Sequence, residues 1–439
     1  MTRPTPEGER ESERHVQPEA PAPAAPLLLI GATLPDATTA DILIEQGRIA
    51  GVWPEGTDGE ARTAAADRLD LTGFLLLPAP AEPHAHLDKV LTAELLRSAG
   101  GGLDDAVRAW YAYRATASHG EISARAATAA QMMLEQGVTA IRTHVDVGTQ
   151  TGQRYLTALL DVRKSLLPLL EMQIVAFVDE PVTGLAGANN RAALRTAMAD
   201  GATAVGGAPY RDADPVESQR TLLKIAADYA APADLHTDET LDPAAFFLAE
   251  LAAYVRESEH PYKVTASHCV SLGTQPDDVV RRVSADLAAT GIAVVCCPAT
   301  NLYLQGRTRE HAAPRGLTAL RRLMAAGVHV AAGGDNIQDP FNPLGRGDPF
   351  DTAALLVLAG HLDVDEAYAA VADEARAVMG LPEARIVPGA AAELLAIRAT
   401  SVREAIARRP ADRIVFHAGR MVSRTDTVRY RDDLTELTR

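Results

Sequence analysis

The sequence predicts an α/β chain: a closed (β/α)8, TIM-like barrel beside a small composite β domain to which both termini contribute. Two observations carry this. Short apolar runs alternate with helix-period segments through the middle of the chain, and strand-like composition without helices between marks both ends. A third observation points the same way, because polar residues able to bind metal or move protons recur just where those apolar runs stop.

Residues 1–25 are rich in Pro, Glu and Ala and read as a disordered tail. Strand signals follow at Leu27-Leu28-Leu29-Ile30, Ala40-Asp41-Ile42-Leu43-Ile44 and Arg48-Ile49-Ala50-Gly51-Val52, with Glu45-Gln46-Gly47 as a hairpin turn. Leu69 to Leu77 is a further strand-like stretch. From about residue 75 helical runs are expected at 103–116, 120–136, 153–168, 189–199, 215–229, 242–256, 276–289 and 316–326. Apolar runs lie between them at 139–145, 172–178, 202–206, 231–236, 263–268, 291–297 and 328–333. With the run at 74–79 these make eight strand candidates, a number that favours a closed barrel over an open sheet. Helices at 350–360 and 364–378 follow. Ala391 to Ile397 and Arg413 to Phe416 then return to strand composition, with Ala418-Gly419-Arg420 as a turn and a charged tail from about 422. The expected organisation is a tail over 1–25, a β-sandwich composed of 26–74 and 382–425, and a barrel over 75–381.

The chain has 439 residues, 47% of them apolar and 23% charged, which describes an ordinary soluble globular protein with room for a large core. A formal charge of −16 argues against binding a phosphate backbone. A membrane span would need an apolar run of about 18 residues, which the sequence lacks. Arg3 is followed by Glu7, Glu9, Glu11 and Glu13 rather than by an apolar segment, so no secretory signal is read. Three cysteines, two adjacent at Cys296-Cys297, make no disulfide framework, and a cytoplasmic location is expected.

The chemistry starts from Glu82-Pro83-His84-Ala85-His86-Leu87-Asp88-Lys89. On an extended chain His84 and His86 point to one side, about 6–7 Å apart, a span that converging rotamers can close on one metal. Further candidate ligands, His236, His268 and Asp335, each stand beside their own strand signal. Arg142, His144 and Asp146, then Gln173, Glu239 and Asn336, also fall near strand ends, which a barrel gathers around one mouth. Three imidazoles and one carboxylate suit one divalent zinc, iron or manganese ion with a position left for water. Each residue also has a structural reading. His144 could serve only Asp146, His236 could start a helix, His268 could pack as a neutral ring, and Asp335 could cap a helix. Gly333-Gly334 permits close backbone approach, and Cys296-Cys297 reads as core. No HExxH, phosphate loop or GxSxG occurs.

Together these stretches resemble the amidohydrolase superfamily, specifically its bacterial cytosine deaminase branch. To those quoted are added Ile141 to Asp146, Gln173 to Phe177, His236-Thr237-Asp238-Glu239, Val264 to His268, Asn301 to Arg307 and Asp339 to Gly345. The resemblance implies one metal, iron or zinc, on His84, His86, His236 and Asp335. Glu239 would shuttle a proton to a ring nitrogen, and His268 would orient or activate the water. Gln173 would pair with an amide edge of the substrate. No carboxylated lysine is expected, since Ala204 to Pro209 offers no lysine.

The chain departs from that branch at Gly334 and Asn336, where the branch has His and Asp, and at Phe341, usually Trp. Gln173, Asn336, Phe341 and His144 are the substrate-binding candidates, and Asn336 would offer both a donor and an acceptor. The expected activity is hydrolytic deamination of a small cyclic amidine, cytosine or a related pyrimidine or triazine, releasing ammonia. Alternatives are hydrolysis of an N-substituted amino heterocycle, of a cyclic amide, or a catalytically silent metal-binding scaffold. The expected partner is a small heterocyclic substrate, with no nucleic acid or membrane, in a possible homo-oligomer.

Overall fold

The computed structural model describes residues 25–57, 66–96 and 102–428. The expected disordered tail, apart from Ala25, lies outside these residues. The chain opens with strands β1 (Leu27–Thr33), β2 (Thr39–Glu45), β3 (Arg48–Pro54), β4 (Asp67–Asp70) and β5 (Leu75–Pro78). Glu45 pairs with Arg48 across Gln46 and Gly47, both at positive φ. That is the two-residue turn whose twist matches a hairpin, and glycine takes the second position without steric cost.

The barrel strands are β6 (Ala81–Ala85), β7 (Ala140–Val147), β8 (Glu171–Val178), β9 (Ala204–Gly207), β10 (Ala233–Thr237), β11 (Val264–His268), β12 (Ala293–Cys296) and β13 (Val330–Ala332). Neighbours in this order are paired in parallel, each feeding helix or loop before the next. A bridge between Ala85 and Asp335 brings the two edges together. In β6 the register slips between Glu82 and Ala85, around Pro83, which has no N–H to give to a ladder.

After helices Pro349–Leu358, Val364–Val371 and Asp373–Met379 the chain returns as β14 (Leu394–Ile397), β15 (Arg413–His417) and β16 (Arg420–Thr425). These join the N-terminal strands in one hydrogen-bonded sheet ordered β16-β15-β14-β5-β1-β2-β3, with β4 on β1. Residues expected to begin a charged tail at 422 instead complete β16, because the turn at Ala418-Gly419 lets Arg420 pair with His417.

The apolar run at 74–79, expected as the first barrel strand, belongs to this small sheet. Leu75 to Pro78 pair antiparallel with Ile397 to Leu394. The strand is sandwiched between two cores: Leu76 packs with Leu29, Ile42, Leu394 and Phe416, while Leu75 and Leu77 join the core under the barrel helices. Burial on both faces produces an unbroken apolar run, which periodicity cannot tell from a barrel strand. The first barrel strand is instead the histidine stretch itself. Another boundary shifts at the helix expected over 242–256, which runs Leu248–Glu257. Asp238 accepts the Phe247 and Leu248 N–H groups at 2.8 and 3.0 Å, fixing the start there.

Arg413 in β15 joins the two units. Its guanidinium donates to both oxygens of Asp348 at 3.0 and 2.8 Å, and Asp348 in turn accepts the Phe350 N–H at the start of a barrel helix. Among the described residues no helix is long and apolar enough to cross a membrane.

Candidate metal centre and active-site cavity

Period-two alternation fills the barrel with polar side chains. Arg142, His144 and Asp146 of β7, Asp234 and His236 of β10, and Thr265 and Ser267 of β11 are all buried. At the C-terminal mouth His84 of β6 and His86, one residue past its end, meet His236, with ring centroids 4.6 and 5.1 Å from it. His86 Nε2 lies 3.1 Å from His236 Nε2 and 3.5 Å from Asp335 Oδ1, and His84 Nε2 lies 3.8 Å from that oxygen. Burial first, then repulsion from Lys89 at His86 and from neighbouring imidazoles, His144 and His268 among them, holds all three well below their usual range, so they are neutral.

His268 ends β11 one residue beyond inward-facing Ser267, so strict alternation would turn it away. Its backbone, at φ 70, and that of Cys269, at φ 49, are left-handed. The ring instead lies 4.7 Å from that of His236. Asp335 has φ 63. Such non-glycine conformations cost about 1–3 kcal/mol each and persist where surrounding structure enforces them. Glu82 supplies part of that enforcement at Asp335, accepting the N–H groups of His84 and Gly334 at 3.0 and 2.8 Å. A Cβ at Gly333 would collide with Glu82 Oε1, so this carboxyl explains the first glycine.

The donor set fits a metal ion. Among the buried atoms without a hydrogen-bond partner are His84 Nε2, His236 Nδ1, His268 Nε2 and both Asp335 oxygens. An orphaned polar atom costs about 1–3 kcal/mol, so this concentration at one point calls for a ligand. Ser267 donates to Asp234 at 2.7 Å and therefore accepts from His84 Nδ1 at 3.0 Å. The His84 proton is thus held on Nδ1 and the Nε2 lone pair is left free, the arrangement metal-binding histidines use. Lys89 Nζ lies 3.0 Å from His86 Nδ1 and, as an ammonium, can only donate there, so this contact does not hold a proton on Nδ1 as Ser267 does for His84. Burial pushes the Asp335 carboxyl up to about 8, as expected of a carboxylate lacking a countercharge.

Two tighter groupings have donor atoms within 4.8 Å of one another: His84, His268, Cys297 and Asp335, and His84, His144 and His236. Neither includes His86. Chemistry decides against Cys297 and His144. Burial keeps the Cys297 thiol protonated, and His144 is turned to Asp234 at 3.3 Å, whereas His86, His236 and Asp335 line the open cavity.

That cavity encloses about 570 Å3 including its mouth. Trp110, Phe177 and Phe341 supply aromatic walls, and Glu239, His268, Thr300 and Asn336 line it beside the ligand candidates. Glu239 follows β10, and its Oε1 accepts from Asn301 Nδ2 at 3.1 Å and lies 3.6 Å from His268 Nδ1. Burial raises its carboxyl to about 7, against the opposing pull of Arg211, Tyr210 and Asn301. A carboxyl poised there can take and return a proton at neutral pH. Behind the wall, Asp146 accepts from Lys89, Trp110 and Arg114 at 3.1, 2.7 and 2.8 Å, locking the Trp110 plate to the barrel.

The structure thus gathers His84, His86, His236, His268, Asp335, Glu239, Asn336 and Phe341 at one mouth. It does not bring Gln173 there. Gln173 sits four residues before Phe177 on β8, toward the other end of the barrel. Its Oε1 accepts from Arg142 at 3.0 Å and its Nε2 donates to the Met379 carbonyl at 2.9 Å, so neither end is free. His144 also lies off the cavity, stacked on His84 with centroids 4.1 Å apart, and its partner is Asp234 rather than Asp146. Asn336 donates one amide N–H to Asp339 at 2.8 Å, while Asp339 accepts the Phe341 N–H at 2.8 Å, so one carboxyl sets both cavity residues.

Sequence reasoning passed over Trp110, Tyr111, Glu180, Tyr210 and Arg211, all cavity residues. The signal was present for three of them: Glu180 and Tyr210-Arg211 directly follow strand candidates, as the recognised site residues do.

Three comparisons bear on this geometry. The model described as "Amidohydrolase family" matches residues 121–423. A pterin deaminase from Rhizobium rhizogenes is 31% identical over 92% of this chain and 96% of its own. Crystal structures of 5-methylcytosine deaminase from Klebsiella pneumoniae (TM-score 0.83, 29% identity, 93% of this chain and 99% of that one) and of N-isopropylammelide isopropylaminohydrolase from Burkholderia multivorans (TM-score 0.77, 30% identity, 91% and 99%) share the fold. With imidazoles and an aspartate converging at the mouth of an eight-stranded barrel, and a family match across well over half its length, this chain belongs to the amidohydrolase family.

Proposed function

We propose that the protein is a metal-dependent hydrolase that removes an amino group as ammonia from a flat, amino-substituted nitrogen heterocycle. His84, His86, His236 and Asp335 hold one divalent ion in this reading, zinc or iron, with manganese as a further choice for the same donors. When bound, the ion supplies Lewis acidity and an acidified water at neutral pH.

The observation that carries the proposal is Glu239, a buried carboxyl of near-neutral pKa held by Asn301 at the edge of the ligand cluster. Glu239 takes one proton of the attacking water and delivers it to the ring nitrogen beside the reacting carbon, then carries the second, from the new C–OH, to the departing amine. The C–N bond breaks, a C=O forms with oxygen from water, and ammonia leaves. His268 steadies the oxygen that becomes the carbonyl. Trp110, Phe177 and Phe341 present apolar faces to the ring and exclude water. The pterin and 5-methylcytosine deaminase relatives support this substrate class.

Ammonia release from cytosine, 5-substituted cytosines, isocytosine, aminotriazines and pterin, with elemental analysis alongside, tests the reading. Turnover of at least one is expected, carried by stoichiometric metal. Release of an alkylamine from N-substituted substrates without ammonia from any of these would replace it with the aminohydrolase alternative that the Burkholderia relative's name suggests.

A further inference from the structure

Glu180, just past β8, is a cavity residue that the reaction above does not use. Its side chain is only 20% exposed, and no hydrogen bond to its carboxylate is formed among the described residues. The nearest cation, Arg211 Nε, stands 3.7 Å away. Arg211 lines this cavity and also an outer groove with Leu103, Asp104, Arg108 and Gln305, and its Nη1 reaches Asp104 at 3.5 Å. The pair therefore stands toward the entrance, while the ligand cluster forms the floor. The Glu180 carboxylate oxygens remain open to the cavity, where a donor on a bound molecule can reach them.

Building on the function proposed above, we propose that Glu180 and Arg211 recognise the far edge of a fused two-ring amino-oxo heterocycle. The ring losing ammonia lies over the ligand cluster. The second ring extends toward the mouth, where an N–H of its edge donates to Glu180 and a neighbouring ring nitrogen or carbonyl accepts from Arg211. The cavity lining runs without a break from His86, His236 and Asp335 past the aromatic walls to Arg211, which also borders the outer groove, so a flat ligand seated on the cluster can extend toward the mouth. Tyr111 and Tyr210, on the two elements that carry the walls of this end, complete its lining.

Pterin and isocytosine make the test pair, since they share the amino-oxo ring and differ by the second ring. On metal-loaded enzyme the ratio of kcat/KM for pterin to that for isocytosine should exceed one. It should fall about 10–100-fold in Glu180→Gln, the range of a hydrogen bond to a charged group, with Arg211→Met shifting it the same way. The change should be carried by KM more than kcat. An unchanged ratio in both variants, with folding verified by thermal denaturation, overturns the subsite. Direct binding of pterin by calorimetry, wild type against Glu180→Gln, reads the same contact without turnover. If neither compound is deaminated yet pterin binding weakens in the variant, the subsite stands and the reaction assignment fails; equal pterin binding in both sinks the subsite on its own.

Discussion

The two ends of the barrel interior are built from the same strands and contain the same kinds of side chain, yet they differ in how those side chains are satisfied. At the lower end Arg142 donates to Gln173, Asp234 and Thr265 at 3.0, 3.0 and 3.4 Å, and to the Val378 carbonyl, while Gln173 closes onto Met379. At the upper end buried atoms of His84, His236, His268 and Asp335 are left without a partner. A buried polar group left without a partner is costly, so a folded chain tolerates a cluster of them only where a ligand completes them. The lower network is a finished structure, and the upper one is a candidate site. Ser267 and Asp234 join the two, since they hold the His84 proton from below.

The contrast predicts different outcomes at the two levels. The largest effect is expected at the top. His236→Ala should release the metal and reduce deamination to background while the chain stays folded, as elemental analysis and circular dichroism together would show; full metal content in the variant would break the assignment of His236 as a ligand. Glu239→Gln should keep its metal but lose about 10²–10⁴-fold in kcat, the usual worth of a positioned proton shuttle. Turnover within a few-fold of wild type would remove Glu239 from the reaction.

At the lower level the effects should fall on stability. Asp234→Asn breaks a buried pair with Arg142 and should cost about 3–5 kcal/mol in denaturant titration at pH 7. Burial alone would raise the Asp234 carboxyl, but His144 and Arg142 outweigh it and hold it below its ordinary 3.8. A folded pKa below the unfolded one means that this contribution is fully present above 3.8 and is lost as pH falls through the lower folded value. The gap between wild type and Asp234→Asn should therefore narrow in strong acid, and a gap that widens there would contradict an ionised Asp234. The smallest effect is expected from Gln173→Ala: about 1–3 kcal/mol of stability, with kcat/KM changed by less than about 3-fold. A much larger kinetic loss in a stable variant would mean that Gln173 reaches substrate after all.

The site was legible in the sequence wherever its geometry is local. His84 and His86 share a face because strand side chains repeat every two residues, and His236, Glu239, His268 and Asp335 betray themselves by standing at strand ends that a barrel must gather. Gln173 did not, because its position along the strand puts it with Arg142 and Met379 rather than with the cavity, and nothing near it in sequence says so. His144 was read with Asp146, two residues away, but a barrel interior let it reach Asp234 across strands.

By itself the sequence determined the alternation of strands and helices, the two-residue hairpin at Gln46-Gly47 and the paired histidines, since each follows from backbone geometry over a few residues. Tertiary structure alone decided which sheet receives Leu75 to Pro78, because that choice rests on Leu394 to Ile397 at the far end of the chain. It likewise decided that Asn336 is oriented by an N–H donated to Asp339 and that Glu180 is left facing an open cavity. Hydrogen-bond satisfaction depends on which remote groups arrive within about 3 Å, and packing of the whole chain settles that.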